Sequence, residues 1–287
     1  MQKLFFEVEN LFDCVIVVRN QQISKKTGVK SRKVKMSQND LGDWYRSIPR
    51  ITRYWFTAAV AVPLAGKFGL LNPMWLILDY ASLVSGFQIW RPVSAAVYYP
   101  ITPMTGFHYL ITLYFLYSYS TRLETGIFTG RPADYVFMLL FNWATTVILA
   151  LALGIPIIFE LLVLAALYIW CQINRDQIVS FWFGTRFKAA YLPWVLFAFN
   201  LIIRGGGMHE LLGIFVGHLY FFLKFKYPID FGGMSLLETP RFLFHYFPNT
   251  RTGVSGFGTA PQPRRRDNND GGGGAHAWGQ GQALGGN

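Results

Sequence analysis

The chain has 287 residues, of which 52% are hydrophobic, 17% aromatic and only 14% charged, with a formal net charge of +11. A typical soluble domain carries about a quarter charged residues, so this composition excludes an ordinary soluble domain and suits a membrane protein with polar ends. The basic residues flank apolar runs instead of gathering on one folded face, so they are read as topology signals and no nucleic-acid partner is expected.

Residues 1–35 hold eight Lys/Arg against Glu7, Glu9 and Asp13. Their apolar patch, "LFDCVIVV", is far below the ~20 residues a bilayer span needs. No small-residue cleavage site follows it, so a signal peptide is not expected. The polybasic run "KKTGVKSRKVK" leads to Met36, which is read as an alternative or original start. Residues 1–35 are expected to be a disordered basic extension, with contact to lipid headgroups as the other reading. Residues 36–53 form a cytosolic N-terminal segment.

Six apolar runs follow: Tyr54–Leu71, Pro103–Ser120, Tyr135–Leu153, Pro156–Ile173, Ala189–Ile203 and Leu211–Phe225. They predict six transmembrane helices and a membrane domain over 54–227. The last two are only ~15 residues, roughly 22 Å against ~30 Å of hydrocarbon, which would thin the bilayer locally. The connection Asn72–Pro92 is apolar but broken by Asp79 and Gly86, and is expected to be an interfacial hairpin. Ten Lys/Arg fall on one side (Arg46, Arg50, Arg53, Arg122, Arg131, Arg175, Arg186, Lys188, Lys224, Lys226) and three on the other (Lys67, Arg91, Arg204). Both termini are therefore expected in the cytosol. Residues 228–287 are rich in Pro, Gly, Asn and Arg and predict a flexible cytosolic tail. Cys14 and Cys171 fall in different environments and show no metal-ligand spacing, so neither a disulfide framework nor a metal site is expected.

Five blocks carry a resemblance: "GDWYRSIPRITRYWF", "FQIWRPV", "STRLETGIFTGRPADYVFMLLFNW", "NRDQIVSFWFGTRFKAAYLPW" and "GHLYFFLKFKYPID". From Met36 to the C-terminus the chain resembles the Derlin family, inert relatives of the rhomboid proteases in the endoplasmic reticulum. The resemblance implies an all-α membrane protein with a rhomboid-like fold. It also implies a role in extracting misfolded proteins for cytosolic degradation, with self-assembly and association with ubiquitin-ligase complexes.

A rhomboid protease needs a Ser on the fourth helix and a His three residues before the first Gly of a Gly-x-x-x-Gly pair on the sixth. His takes the Ser proton, and backbone donors hold the oxyanion. Here the fourth run contains no Ser, and Leu164 takes the nucleophile position. Gly213 and Gly217 form the pair, and Glu210 stands three residues before it. His209 is one residue off, about 100° around a helix. Ser255 sits in a formal Gly-x-Ser-Gly within the polar tail, where no base is placed to activate it. No catalytic residue and no cofactor is expected.

Other residues gain roles from their positions. Gly213 and Gly217, one helical turn apart, allow close packing of two backbones, expected against the fourth helix. Trp90 and Arg91 end the first loop as an aromatic anchor and a snorkelling cation, and the resemblance implies that they hold the loop in the outer leaflet. Asn142, Glu160, Asn200 and His218 lie within apolar runs. Polar groups at that depth should face protein or water, which suggests a hydrated cavity reached from the cytosol.

The tail ends in "WGQGQALG". This resembles the SHP box, a linear motif for the N-terminal domain of the Cdc48-type, valosin-containing AAA ATPase. Trp278 and Leu284 supply apolar anchors, while Gly279, Gly281 and Gly285 let the backbone lie flat on a partner. Gly271–Gly274 make a flexible tether. The chain has no phosphate-binding Gly-x-x-x-x-Gly-Lys-Ser/Thr loop, so work on a polypeptide must come from a borrowed motor. The expected function is retrotranslocation of misfolded proteins through or along this membrane domain. A substrate receptor without a pore and an active intramembrane protease stand as alternatives.

Overall fold

The computed structural model describes residues 38–180, 185–204, 206–230 and 236–249. The basic extension, Ser255 and the Trp278–Gly285 segment lie outside the described residues.

Helix α1, Gln38–Ser47, leads into α2, Arg50–Lys67. Pro49 precedes α2 and has no side chain able to cap it. A distant carboxylate fills the role: Glu124 accepts the Ile51 N–H at 3.1 Å, the Thr52 N–H at 2.8 Å and the Thr52 hydroxyl at 2.7 Å. Thr52 also meets Ser120 at 2.8 Å, and Ser120 meets the Tyr135 hydroxyl. This buried polar chain fixes the start of α2 to the end of the next long helix.

The connection Asn72–Pro92 contains a 3₁₀ turn, Pro73–Trp75, and helix α3, Tyr80–Val84. Helix α4, Arg91–Ala95, follows. Asp79 caps α3 by accepting the Ser82 N–H at 2.9 Å. Helix α5, Gly106–Arg122, widens into a π-helical turn, Leu123–Ile127, which carries Glu124. Helix α6, Pro132–Leu153, ends at Gly154, whose φ of 67° is the left-handed conformation that glycine adopts without strain. Helix α7 is Phe159–Ile173. Then come the antiparallel strands β1, Ile178–Ser180, and β2, Arg186–Lys188, with Val179 opposite Phe187. Helix α8, Leu192–Arg204, and α9, Met208–Phe221, complete the long helices. A second π-helical turn, Phe222–Lys226, joins α9 to α10, Tyr227–Asp230, and α11 is Arg241–Tyr246.

Each of the six expected runs overlaps a described helix. By length and composition alone, one described helix, the 22-residue α6, qualifies to cross a bilayer. Two expectations are corrected. The fold is mostly helical but not all-α, because Ile178–Ser180 and Arg186–Lys188 pair as short antiparallel strands, with Val179 buried between exposed Ile178 and Ser180. The sixth run is not short either. Helical backbone continues from Met208 to Asp230, about 34 Å at 1.5 Å per residue. Its basic residues do not end it. Lys224 donates to the Leu237 carbonyl at 2.7 Å, and Lys226 lies 3.8 Å from Asp230 one turn on. The short helices are α7, with 15 residues, and α8, with 13.

Helix α7 is the axis of the bundle. Every residue from Phe159 to Cys171 is buried. It packs most extensively on α9, then on α5, with α6 and α8 completing its surround. A helix apolar on all faces requires such enclosure by other helices or lipid.

Candidate functional site

Helices α5, α7 and α9 alternate with α2, α6 and α8 and start at the same end of the bundle. The Asn72–Pro92 loop packs at that end, where the Leu78 N–H donates to the Pro156 carbonyl at 2.8 Å. A titratable side chain stands in the first turn of each: His108, Glu160 and Glu210. His108 Nε2 lies 3.2 Å from Glu160 Oε1. One ligand-type atom from each of the three residues falls within 4.8 Å of the other two. Asn200, on α8, donates its amide to Glu210 Oε1 at 2.7 Å. The Tyr99 hydroxyl meets His108 Nδ1 at 3.1 Å. Glu210 is 2% exposed, whereas the His108 and Glu160 side chains keep 14% and 11%. The group is thus sealed at its base and open at its rim.

The electrostatics demand a positive partner. Two ionised carboxylates within 4.8 Å of each other would repel by about 3 kcal/mol or more at an effective dielectric near 20. Helix N-termini at both glutamates offset part of that, each by about 0.3–1 kcal/mol. His108, a shared proton or a bound cation supplies the remainder.

Below this cluster the two glycines set the helix spacing. A Cβ on Gly213 would stand 3.0 Å from the Leu161 carbonyl oxygen and 3.0 Å from Leu164 Cβ. On Gly217 it would stand 2.7 Å from the Ala165 carbonyl oxygen and 3.0 Å from Tyr168 Cβ. So α7 and α9 touch backbone to backbone, and Leu164 sits against Gly213. Glu210, one turn before Gly213, is a buried carboxylate bonded to Asn200. His209 is exposed and turned away. His218 is also on an exposed face, with Nδ1 2.8 Å from the Tyr168 hydroxyl.

The other expected residues lie apart. Trp90 is 53% exposed among exposed Phe87 and Ile89. Arg91 does not snorkel: it is 5% exposed and folds inward. Its Nη1 donates to the Met74 and Ile77 carbonyls at 2.8 and 2.9 Å, and its Nε to Gln88 at 2.5 Å. The guanidinium fork closes the loop upon itself. Asn142 is 1% exposed in the middle of α6, and neither of its amide atoms has a hydrogen-bond partner among the described residues. Thr146, one turn on, is buried with an equally unpartnered hydroxyl. Glu160 and Asn200, by contrast, are linked through Glu210.

Sequence reasoning missed His108, Tyr99 and Glu124. His108 opens an apolar run after Gly106, and a second titratable residue at the matching end of the Glu160 helix was the available signal. Glu124 lies just past the end of a predicted span, where an acidic residue beside Arg122 gives no hint of the helix it caps.

A sequence profile described as the Der1-like family matches residues 48–241. The chain is 59% identical to Derlin-1 of Homo sapiens over 248 residues, 86% of this chain and 99% of that protein. It is 48% identical to Derlin-1 of Caenorhabditis elegans over 255 residues, 86% of this chain and 100% of the relative. Derlin-1 of Drosophila melanogaster shares 44% identity over 248 residues, again 86% and 100%.

Proposed function

We propose, from the premise that this chain belongs to the Der1-like family, that it is a multi-pass protein of the endoplasmic reticulum membrane that moves misfolded proteins to the cytosol without bond chemistry of its own. The observation that carries this reading is the family match across the whole helical bundle, joined to the "WGQGQALG" tail that follows it. The six long helices cross the membrane with both termini cytosolic, as the ten-to-three Lys/Arg asymmetry favours. The substrates are misfolded polypeptides, passed on to ubiquitin-ligase complexes, and the chain assembles with copies of itself.

Two features support passage without proteolysis. Leu164 and Glu210 occupy the positions where a serine protease of this shape would need nucleophile and base, so acyl transfer has no starting group there. Helix α7 gives about 22 Å of helix, and α8 with the 3₁₀ turn Ala189–Tyr191 before it about 26 Å, against ~30 Å of hydrocarbon. A locally thinned bilayer lowers the cost of carrying polar chain across. In this topology the His108–Glu160–Glu210 group lies at the lumenal end.

Force comes from the AAA ATPase held by the tail. Trp278→Ala combined with Leu284→Ala is expected to abolish pull-down of the ATPase N-terminal domain while leaving membrane insertion intact. Undiminished pull-down by the double variant refutes the assignment.

A further inference from the structure

The geometry points to a binding site for a divalent transition-metal cation, of the zinc class, formed by His108, Glu160 and Glu210. Imidazole nitrogen and carboxylate oxygens are zinc donors, bound at about 2.0–2.2 Å. Two such donors at a tetrahedral angle stand about 3.4 Å apart. His108 Nε2 and Glu160 Oε1 already stand 3.2 Å apart, and Glu210 completes the set within 4.8 Å. A cation drawing the Glu210 oxygen inward by about an ångström closes the triangle, because each ligand sits on a flexible side chain.

The surrounding residues orient two of the ligands as metal sites require. A metal-bound histidine uses its second ring nitrogen for a hydrogen bond that fixes tautomer and ring plane. Here the Tyr99 hydroxyl stands at Nδ1, leaving Nε2 for the cation. Asn200 holds Glu210 from behind. Three protein ligands and a partly exposed rim leave a fourth position to water. The ligands come from the starts of three separate helices, so cysteine spacing and short motifs could not reveal the site. Bound there, a cation cancels the repulsion of the two carboxylates and ties α5, α7 and α9 together at one end.

The test uses the untagged full chain purified in detergent, stripped with chelator and titrated with Zn²⁺ by calorimetry. One saturable site is expected, and His108→Leu or Glu160→Gln should each weaken it by roughly tenfold or more, the scale on which ligand-sphere changes act. His209→Ala and His218→Ala, on exposed histidines outside the cluster, should leave it unchanged. X-ray absorption at the zinc edge of the parent protein needs no variant: it should show nitrogen and oxygen ligands with a single imidazole. Absence of a saturable zinc site, parental affinity in His108→Leu and Glu160→Gln, or a shell with sulfur or several imidazoles overturns the proposal. In the first case a shared proton balances the carboxylates instead.

Discussion

Replacing Gly217 with alanine separates two opposing effects. Within a helix interior alanine is favoured over glycine by about 1 kcal/mol. Against that stands the contact at the helix crossing. The new Cβ would lie 2.7 Å from the Ala165 carbonyl oxygen and 3.1 Å from Ala165 Cα. Both are backbone atoms of α7, so no side chain can rotate away, and the helices must part by several tenths of an ångström. Overpacking of this kind costs about 1–3 kcal/mol, and the crossing includes Leu164, Tyr168 and Ile214 of the main core. Because both atoms met are backbone, the cost falls in the upper part of that range, about 2–3 kcal/mol, and the net expectation is destabilisation by about 1–2 kcal/mol, or a fall of roughly 2–8 °C in Tm for a bundle of this size. Gly217→Leu should prevent the crossing altogether. The assay follows reaction of buried Cys171 with a thiol reagent against temperature, in a Cys14→Ser background. Cys171 is 0% exposed on α7, so its labelling reports the opening of the bundle. A Tm equal to or above that of the parent would refute the reasoning, because it would show that helix propensity outweighs a crossing free to widen.

Glu124→Ala removes three hydrogen bonds at the start of α2 and should cost about 2–4 kcal/mol, with Glu124→Gln losing about half as much because one amide oxygen still accepts; thermal unfolding of the pair gives the ratio. Arg91→Lys keeps the charge but cannot span Met74, Ile77 and Gln88 together. Amide exchange across residues 74–91 should accelerate, reflecting about 1.5–3 kcal/mol of lost local stability, while exchange in α7 and α9 stays at the parental rate.

The helices were legible because each apolar run is long and bounded by Pro, Gly or basic residues, and hydropathy reports that directly. The glycine pair was legible because a one-turn spacing of small residues has a local meaning. Other features depended on partners far away in the chain. Glu160 reads as an isolated buried charge until α5 places His108 beside it. Arg91 reads as an interfacial cation until the loop carbonyls of Met74 and Ile77 turn toward it. The β1–β2 pair was hidden for another reason: each strand has only three residues, too few for a two-residue period to stand out. The last helix runs past its apolar stretch, Leu211–Phe225, because hydropathy falls at Lys226 while the helical backbone continues to Asp230.

The enclosure of α7 bears on how the chain is made. Synthesis runs from the N-terminus, and earlier segments are available to later ones. Thr52 emerges before Glu124, His108 before Glu160, and Asn200 before Glu210. Each of these three carboxylates is therefore translated after the residue that receives it. The glycine-bearing face of α9 arrives after the groove on α7 that it fills, so the last long helix can act as a bolt that locks a largely assembled bundle.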